Sequence, residues 1–294
     1  MILGLDIFPK LGFEITGVPF HQPEKSESDL SIKSVKTFLS AELPPGVNAE
    51  GIHESWKEVI AANQALSSDS RCLLKNSELP LETNCKPIWI RQYPIPIGYQ
   101  QSVREQVQAW ASSGTTVHAP EGCQWNHPLL PVPKPNKDGG SSSVRTCLDL
   151  RRFNDELLNV PDCNLPNIRE IQDSIGNFEY ITVIDLADSY NQFAIRPEDQ
   201  QKTAFTHEGV HWMFTAVPFG IKSMSGHMQR ILEQLIGPLN RHPFQDDIAI
   251  STSYGGDHAK DVLEILEVLT YKAGLRLRLN ASSIKLLLRF WVVL

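Results

Sequence analysis

Phe244-Gln245-Asp246-Asp247-Ile248-Ala249-Ile250 places two adjacent carboxylates at the head of an apolar, β-branched run. A third acid closes a similar run, Tyr180-Ile181-Thr182-Val183-Ile184-Asp185. Both stretches predict short strands, because β-branched and aromatic residues suit a pleated, half-buried surface. A carboxylate at the end of an apolar strand is costly to desolvate without a positive partner. Neighbouring carboxylates repel each other, and a third aggravates the conflict. A divalent cation resolves it. Magnesium takes hard oxygen ligands and shares its sphere with phosphates. Two such ions roughly 3.5–4 Å apart hold the attacking and leaving oxygens of a phosphoryl transfer. Taken alone, an Asp-Asp pair is a solvated turn, and a single Asp after an apolar run is a helix N-cap. The surroundings decide.

The bulk properties suit a globular chain. It has 294 residues, 41% hydrophobic and 21% charged, enough for one large or two small domains. The net charge of −7 is uneven: residues 1–85 contribute −5 and residues 86–294 only −2. That balance lacks the strongly basic footprint of many nucleic-acid binders and leaves room only for a local basic track. Five cysteines (Cys72, Cys85, Cys123, Cys147, Cys163) show no zinc-site spacing, and the odd count argues for reduced intracellular thiols over a disulfide framework. The start, Met1 to Asp6, has no basic region and reads as no signal peptide. The apolar tail Leu286–Leu294 is too short to cross a membrane.

Along the chain, residues 21–85 are rich in Ser, Glu, Pro and Asn and read as a linker of low local stability, with a helical turn or two around Trp56, Val59, Ile60 and Asn63. Helices are predicted over 97–113 (Val103, Val107 and Trp110 on one face), 167–175, 224–236 and 257–273. Strands are predicted at 129–132, 144–148, 180–186, 193–195, 203–206 and 211–216, with a polar loop over 134–143. Helices alternating irregularly with short antiparallel strands indicate an α+β domain.

Ordered blocks then surround the acids. Asn126 to Pro135 (NHPLLPVPKP) comes first, followed by Arg145 to Asn154 (RTCLDLRRFN). Next come Asp185 to Gln192 (DLADSYNQ), Thr203-Ala204-Phe205-Thr206, Val217-Pro218-Phe219-Gly220-Ile221, and Phe244-Gln245-Asp246-Asp247. In this order they resemble the reverse transcriptase of long-terminal-repeat retrotransposons of the gypsy group, relatives of retroviral polymerases. The resemblance implies an RNA-directed DNA polymerase with a right-hand fingers and palm fold. The fingers would span about 86–160 and 193–217, the palm about 161–192 and 218–280.

It also implies roles. Asp185, Asp246 and Asp247 would be the catalytic and metal-binding acids, holding two magnesium ions, with manganese as an alternative. Lys134 and Arg145 would grip the incoming deoxynucleoside triphosphate. Tyr190 would lie under the sugar and exclude a 2′-hydroxyl, and Phe219-Gly220 would floor the nucleotide pocket. Asp149, Arg151 and Asn154 would orient the template. An equally plain role for these is a salt bridge between strands. Gln192 is either a member of the site or a strand residue. The implied partners are an RNA or DNA template with its primer, and no membrane.

Some features depart from the family pattern. Phe244 stands where Tyr is usual, so a hydroxyl is lost and a ring kept. From Ser283 onward the match ends, and residues 281–294 read as a frame-shifted or truncated tail where a primer-grip hairpin and thumb should follow. A fragment without its thumb implies poor processivity, because backbone contacts dominate nucleic-acid affinity. The alternative is an inactive retroelement relic that at most binds nucleic acid. Ile2 to Gly12 resembles the closing segment of a retroelement aspartic protease, making residues 1–20 its remnant; the D-S/T-G triplet is missing, so no protease activity is expected.

Overall fold

The structure is a computed structural model describing residues 47, 52–133, 144–158, 160, 178–237, 241–253, 255–278 and 285–288. The expected protease remnant, the 134–143 loop with Lys134, the 167–175 helix and the last six residues lie outside the described residues. Three antiparallel sheets organise the rest. β1 (Thr116–His118), β6 (Val210–Phe214) and β5 (Phe205–His207) form one, in the order β1-β6-β5. β2 (Leu129–Pro133) pairs with β3 (Val144–Leu148). The third holds β7 (Arg241–Phe244), β8 (Asp247–Ser253), β4 (Phe178–Asp185) and β9 (Lys285–Leu288), in the order β7-β8-β4-β9.

The four-stranded sheet carries the acids because of its alternation. Ile184 on β4 faces Ile248 on β8, and Thr182 faces Ile250; all four are buried. Side chains one residue along point to the other face. Asp185 and Asp247, directly paired across the two strands, therefore leave the core together. Helices α4 (Met224–Ile236) and α5 (His258–Glu267) supply buried Met228, Leu232, Val262 and Leu266 to the same apolar core. α5 continues as a π-helical turn over Val268–Lys272.

A buried polar cluster ties α5 to the sheet. His258 lies 2.8 Å from both Thr182 Oγ1 (through Nε2) and Thr252 Oγ1 (through Nδ1). Thr252 has one hydroxyl proton and donates it to Asp261 at 2.7 Å. It therefore accepts from Nδ1–H, and Nε2 accepts from Thr182. The ring is neutral, and burial pushes its pKa down from 6.5 to about 4. His127 is lowered to about 4 for the same reason. Unfolding frees both rings to take protons below pH 6.5, so their stabilising effect is complete above that pH and is lost as pH falls towards 4. Urea titrations are expected to show a midpoint that falls across this window, with a shallower fall in His258→Gln; an unchanged pH dependence in the variant contradicts the assignment.

Three expectations change. First, residues 52–85 are no linker. Trp56, Leu79 and Leu81 are among the most buried side chains, and α1 (Lys57–Gln64) packs on α5. Trp56 Nε1 donates to Ala259 O at 2.8 Å. Asn63 donates to Thr270 Oγ1 and Leu275 O and accepts from Leu277 N, all within 2.9 Å. The polar composition of the segment hid a few large apolar anchors. Trp56→Ala is expected to cost about 3–5 kcal/mol of stability, read from chemical denaturation.

Second, part of the expected aberrant tail belongs to the sheet: Lys285–Leu288 pairs with Tyr180–Val183 along the free edge of β4. Third, residues 193–195 make isolated bridges, Ala194 with Ala216 and Ile195 with Leu79, and residues 197–203 form a 3-10 helix ahead of β5. The other expected strands and helices that fall on described residues stand within a few residues. α2 runs Ile97–Ser112, and a short α3 (Arg151–Glu156) follows β3. Among the described residues no helix is long and apolar enough to cross a membrane, and Cys72, Cys85, Cys123 and Cys147 are free thiols.

Candidate active site

The acidic hairpin is tight. Phe244 pairs with Asp247, leaving Gln245-Asp246 as a two-residue turn. Gln245 has φ 53°, a conformation that costs a side-chain-bearing residue about 1–2 kcal/mol. Gln229, buried on α4, holds the turn in place. Its Nε2 donates to Pro243 O at 2.7 Å, and its Oε1 accepts from Gln245 N at 3.3 Å. Ser189 Oγ donates to Asp246 Oδ1 at 2.7 Å.

Opposed carboxylates on neighbouring strands have Cβ atoms about 4.5–5.5 Å apart and destabilise the pair. Asp185 and Asp247 are such a pair. Here Arg278 supplies positive charge: its Nη1 donates to Asp185 Oδ2 at 2.8 Å, with side chains 51% and 26% exposed. Among the described residues no three His, Cys, Asp or Glu groups stand together as a metal cluster, and two of the three acids have protein partners. Asp185 leans on Arg278 and Asp246 on Ser189. The first contact is exposed and the second half-buried, with Ser189 itself buried; the donor set, three carboxylates at one strand end, suits a hard divalent cation.

A cleft of about 760 Å³ opens beside the hairpin, lined by Arg145, Phe219, Asp246, Asp247, Arg276 and Arg278 among others. Arg145 stands on β3 with its guanidinium carbon 5.6 Å from the centre of the Phe219 ring. Phe219 packs against Tyr190 with ring centroids 5.4 Å apart, and the Tyr190 hydroxyl lies 2.8 Å from Ser225 Oγ. Arg145, Phe219 and Tyr190 thus form one stack, whose Arg145 and Phe219 line the cleft.

Gly220 sits at φ 103°, and a side chain there would meet Leu148 O at 3.4 Å. Asn154 clamps this turn, donating to Gly220 O at 2.7 Å and accepting from Lys222 N at 2.9 Å. Its amide thus fastens the turn that follows Phe219, a role the sequence did not suggest.

Asp149 is buried and gripped by its neighbour. Arg151 Nε and Nη2 donate to its two oxygens at 2.9 and 2.7 Å, and these bonds hold the carboxyl below the usual range. The pair joins a strand end to α3; it does not bridge two strands. Asp149 aims Arg151, whose side chain is 80% exposed. Gln192 is fully buried and fastens Ala187 to Arg276: Nε2 donates to Arg276 O at 3.0 Å and Oε1 accepts from Arg276 N. It braces the site and does not face the cleft. Sequence reasoning missed Ser189, Gln229 and Arg278, which act through turns and helices that no local pattern advertises. Ser189, four residues past Asp185, lay within a quoted block.

Solved relatives share this fold. A foamy viral protease-reverse transcriptase in complex with dsDNA superimposes with a TM-score of 0.66 at 21% identity, over 92% of this chain and 55% of that one. The same protein in complex with RNA/DNA hybrid gives 0.64 at 20%, over 87% and 34%. Among curated proteins, the retrovirus-related Pol polyprotein from transposon 297 of Drosophila melanogaster is 30% identical over 202 residues, 67% of this chain and 19% of that protein. The polyprotein from transposon gypsy of the same fly is 24% identical over 287 residues, 91% and 26% respectively. The chain therefore spans a fifth to a quarter of the curated relatives it matches. The family model for reverse transcriptase (RNA-dependent DNA polymerase) matches residues 132–286, more than half of the sequence, and with β4, β8 and the acidic turn inside that span the chain belongs to the reverse transcriptase family.

Proposed function

We propose that this chain is the fingers and palm of an RNA-directed DNA polymerase. The observation that carries the reading is that Asp246 and Asp247 line the same cleft as Arg145 and Phe219. The cleft pairs anionic, cation-binding groups with a cationic, ring-backed one, as a metal-bound triphosphate requires. The primer 3′-hydroxyl attacks the α-phosphate of a deoxynucleoside triphosphate; a phosphodiester bond forms and pyrophosphate leaves. Asp185, Asp246 and Asp247 would hold two magnesium ions, which supply charge neutralisation and a more acidic hydroxyl. Arg145, and Lys134 by resemblance, hold the phosphates. Tyr190 bounds the sugar, Phe219-Gly220 floors the pocket, and Arg151 meets the template backbone.

Primer extension on poly(rA)/oligo(dT) tests the reading. Incorporation of deoxythymidylate that needs magnesium and ceases on chelation is expected; no incorporation, or incorporation indifferent to chelation, overturns it. A second prediction concerns Arg278, which takes a cation's place beside Asp185. An exposed ion pair is worth about 0–1 kcal/mol, so Arg278→Gln is expected to tighten manganese binding by up to about fivefold in a spin-resonance titration. Weaker binding would assign Arg278 to holding the site open instead.

A further inference from the structure

A second cavity, of about 220 Å³, lies apart from the cleft and shares none of its lining residues. Its walls are backbone segments already tied together. Leu79 N donates to Ala194 O and Leu158 N to Glu82 O, both at 2.8 Å, and Thr83 bridges to Leu157. Leu79, Pro80, Leu157 and Leu158 give the cavity apolar sides, and the first turns of α4 with the residue before them add Ser223, His227 and Arg230. A space of this size falls below the roughly 300–1,000 Å³ of a site for drug-sized ligands, so its occupant is small.

Its polar groups decide the chemistry. Ser223 is only 6% exposed, and its hydroxyl has no hydrogen-bond partner among the described residues. It stands at the N-cap position of α4 without capping the helix. A buried hydroxyl left unpaired is costly, and a ligand oxygen would relieve it. His227, also buried, has Nε2 3.0 Å from Ser77 O, an acceptor, so Nε2–H donates. Burial lowers the pKa of this ring and keeps it neutral, which leaves Nδ1 to accept from Arg230 Nη2 at 3.2 Å. The histidine thus anchors the guanidinium without neutralising it, and among the described residues Arg230 forms no ion pair. Glu82, the acid in the lining, is exposed to water, which screens its charge. A hydroxyl and an anchored guanidinium suit a carboxylate through charge-assisted bonds, and the leucines and proline suit an apolar body.

We propose that this cavity binds a small apolar monocarboxylate, its carboxylate on Arg230 and Ser223 and its body against Leu79, Pro80, Leu157 and Leu158. The site stands apart from the polymerase reading, although the helix that lines it also holds the acidic turn through Gln229. The probe is hexanoate, titrated into the full chain without primer, template or nucleotide and followed by saturation-transfer NMR, with hexanol as the uncharged counterpart. Hexanoate is expected to bind with a dissociation constant of about 1 mM or tighter, which a ligand of this size can reach. Hexanol should bind about tenfold more weakly, for want of the charge-assisted bonds. Arg230→Gln, a change at an exposed position, should weaken hexanoate about tenfold and leave hexanol unaltered. Ser223→Ala should weaken hexanoate about fivefold and, by removing an unpaired hydroxyl, leave the melting temperature equal to the parent's or higher. Excess dTTP with magnesium should not displace the acid. No transfer to hexanoate up to about 10 mM overturns the site, as does equal binding of hexanoate and hexanol or undiminished affinity in Arg230→Gln. Displacement by dTTP overturns it too, by putting the acid in the cleft. Hexanoate bound by a chain that extends no primer would keep this site and remove the polymerase; extension by a chain that binds no hexanoate would do the reverse.

Discussion

Asp246→Asn is expected to lower primer extension on the order of a thousandfold or more, since a metal's stabilisation of transition-state charge amounts to several kcal/mol and each 1.36 kcal/mol is tenfold. The substitution isolates charge from shape. Asp246 occupies the second position of the two-residue turn, and its Oδ1 accepts from Ser189 Oγ. An asparagine carbonyl can accept that same bond, and Gln229 continues to hold Pro243 O and Gln245 N. The fold should therefore survive with its melting temperature close to the parent's, and the lost rate measures the carboxylate. Ser189→Ala removes only the orienting hydroxyl, and its effect should be milder, about 10–100-fold, in keeping with groups that orient a metal ligand. Single-turnover extension with a preformed primer–template complex gives both numbers. A rate in Asp246→Asn within tenfold of the parent would dismiss the acid from catalysis.

Legibility in the sequence divides along a physical line. The strands bearing Asp185 and Asp247 were readable because one face of each is a row of β-branched residues, and a period of two fixes which side chains leave the core. α2 and α4 were readable for the matching reason at helical period. Residues 52–85 were not, because Trp56, Leu79 and Leu81 are scattered through polar sequence and become an anchor only when α5 and the 192–202 segment come to meet them. Asp199 shows the same limit. It reads as a surface acid in a 3-10 turn, yet it is buried between Leu81 N and Lys202 Nζ. At the site, ordered motifs named Arg145, Phe219, Asp246 and Asp247, which line the cleft, but not Arg276 and Arg278, which line it too. Asn154 and Gln192 stood in quoted blocks, and only the fold reveals that their amides fasten backbone turns. The partners of the acids were hidden further still, since Arg278 lies 93 residues from Asp185 and nothing local links them.

Tyr190→Ala is expected to reduce the preference for deoxynucleotides over ribonucleotides by about 10–200-fold, the range that 1–3 kcal/mol of steric discrimination allows. A gate excludes a hydroxyl only if it cannot yield. Tyr190 is held on two sides, by the Phe219 ring at 5.4 Å and by Ser225 Oγ at 2.8 Å. Phe219 is in turn covered by Arg145, so the proposed gate, the proposed pocket floor and the proposed phosphate-binding cation share one stack. This coupling predicts more than loss of discrimination. Removing the ring frees Phe219 and loosens Arg145, so the KM for deoxynucleotides should also rise while ribonucleotide incorporation gains in relative terms. Tyr190→Phe separates the two supports: the ring and its packing stay, the bond to Ser225 goes, and discrimination should remain near the parent value. Competition between dTTP and UTP on poly(rA)/oligo(dT), read as kcat/KM ratios, measures the effect. Unaltered ribonucleotide exclusion in the alanine variant would place the 2′-hydroxyl elsewhere in the cleft and leave Tyr190 as a packing residue.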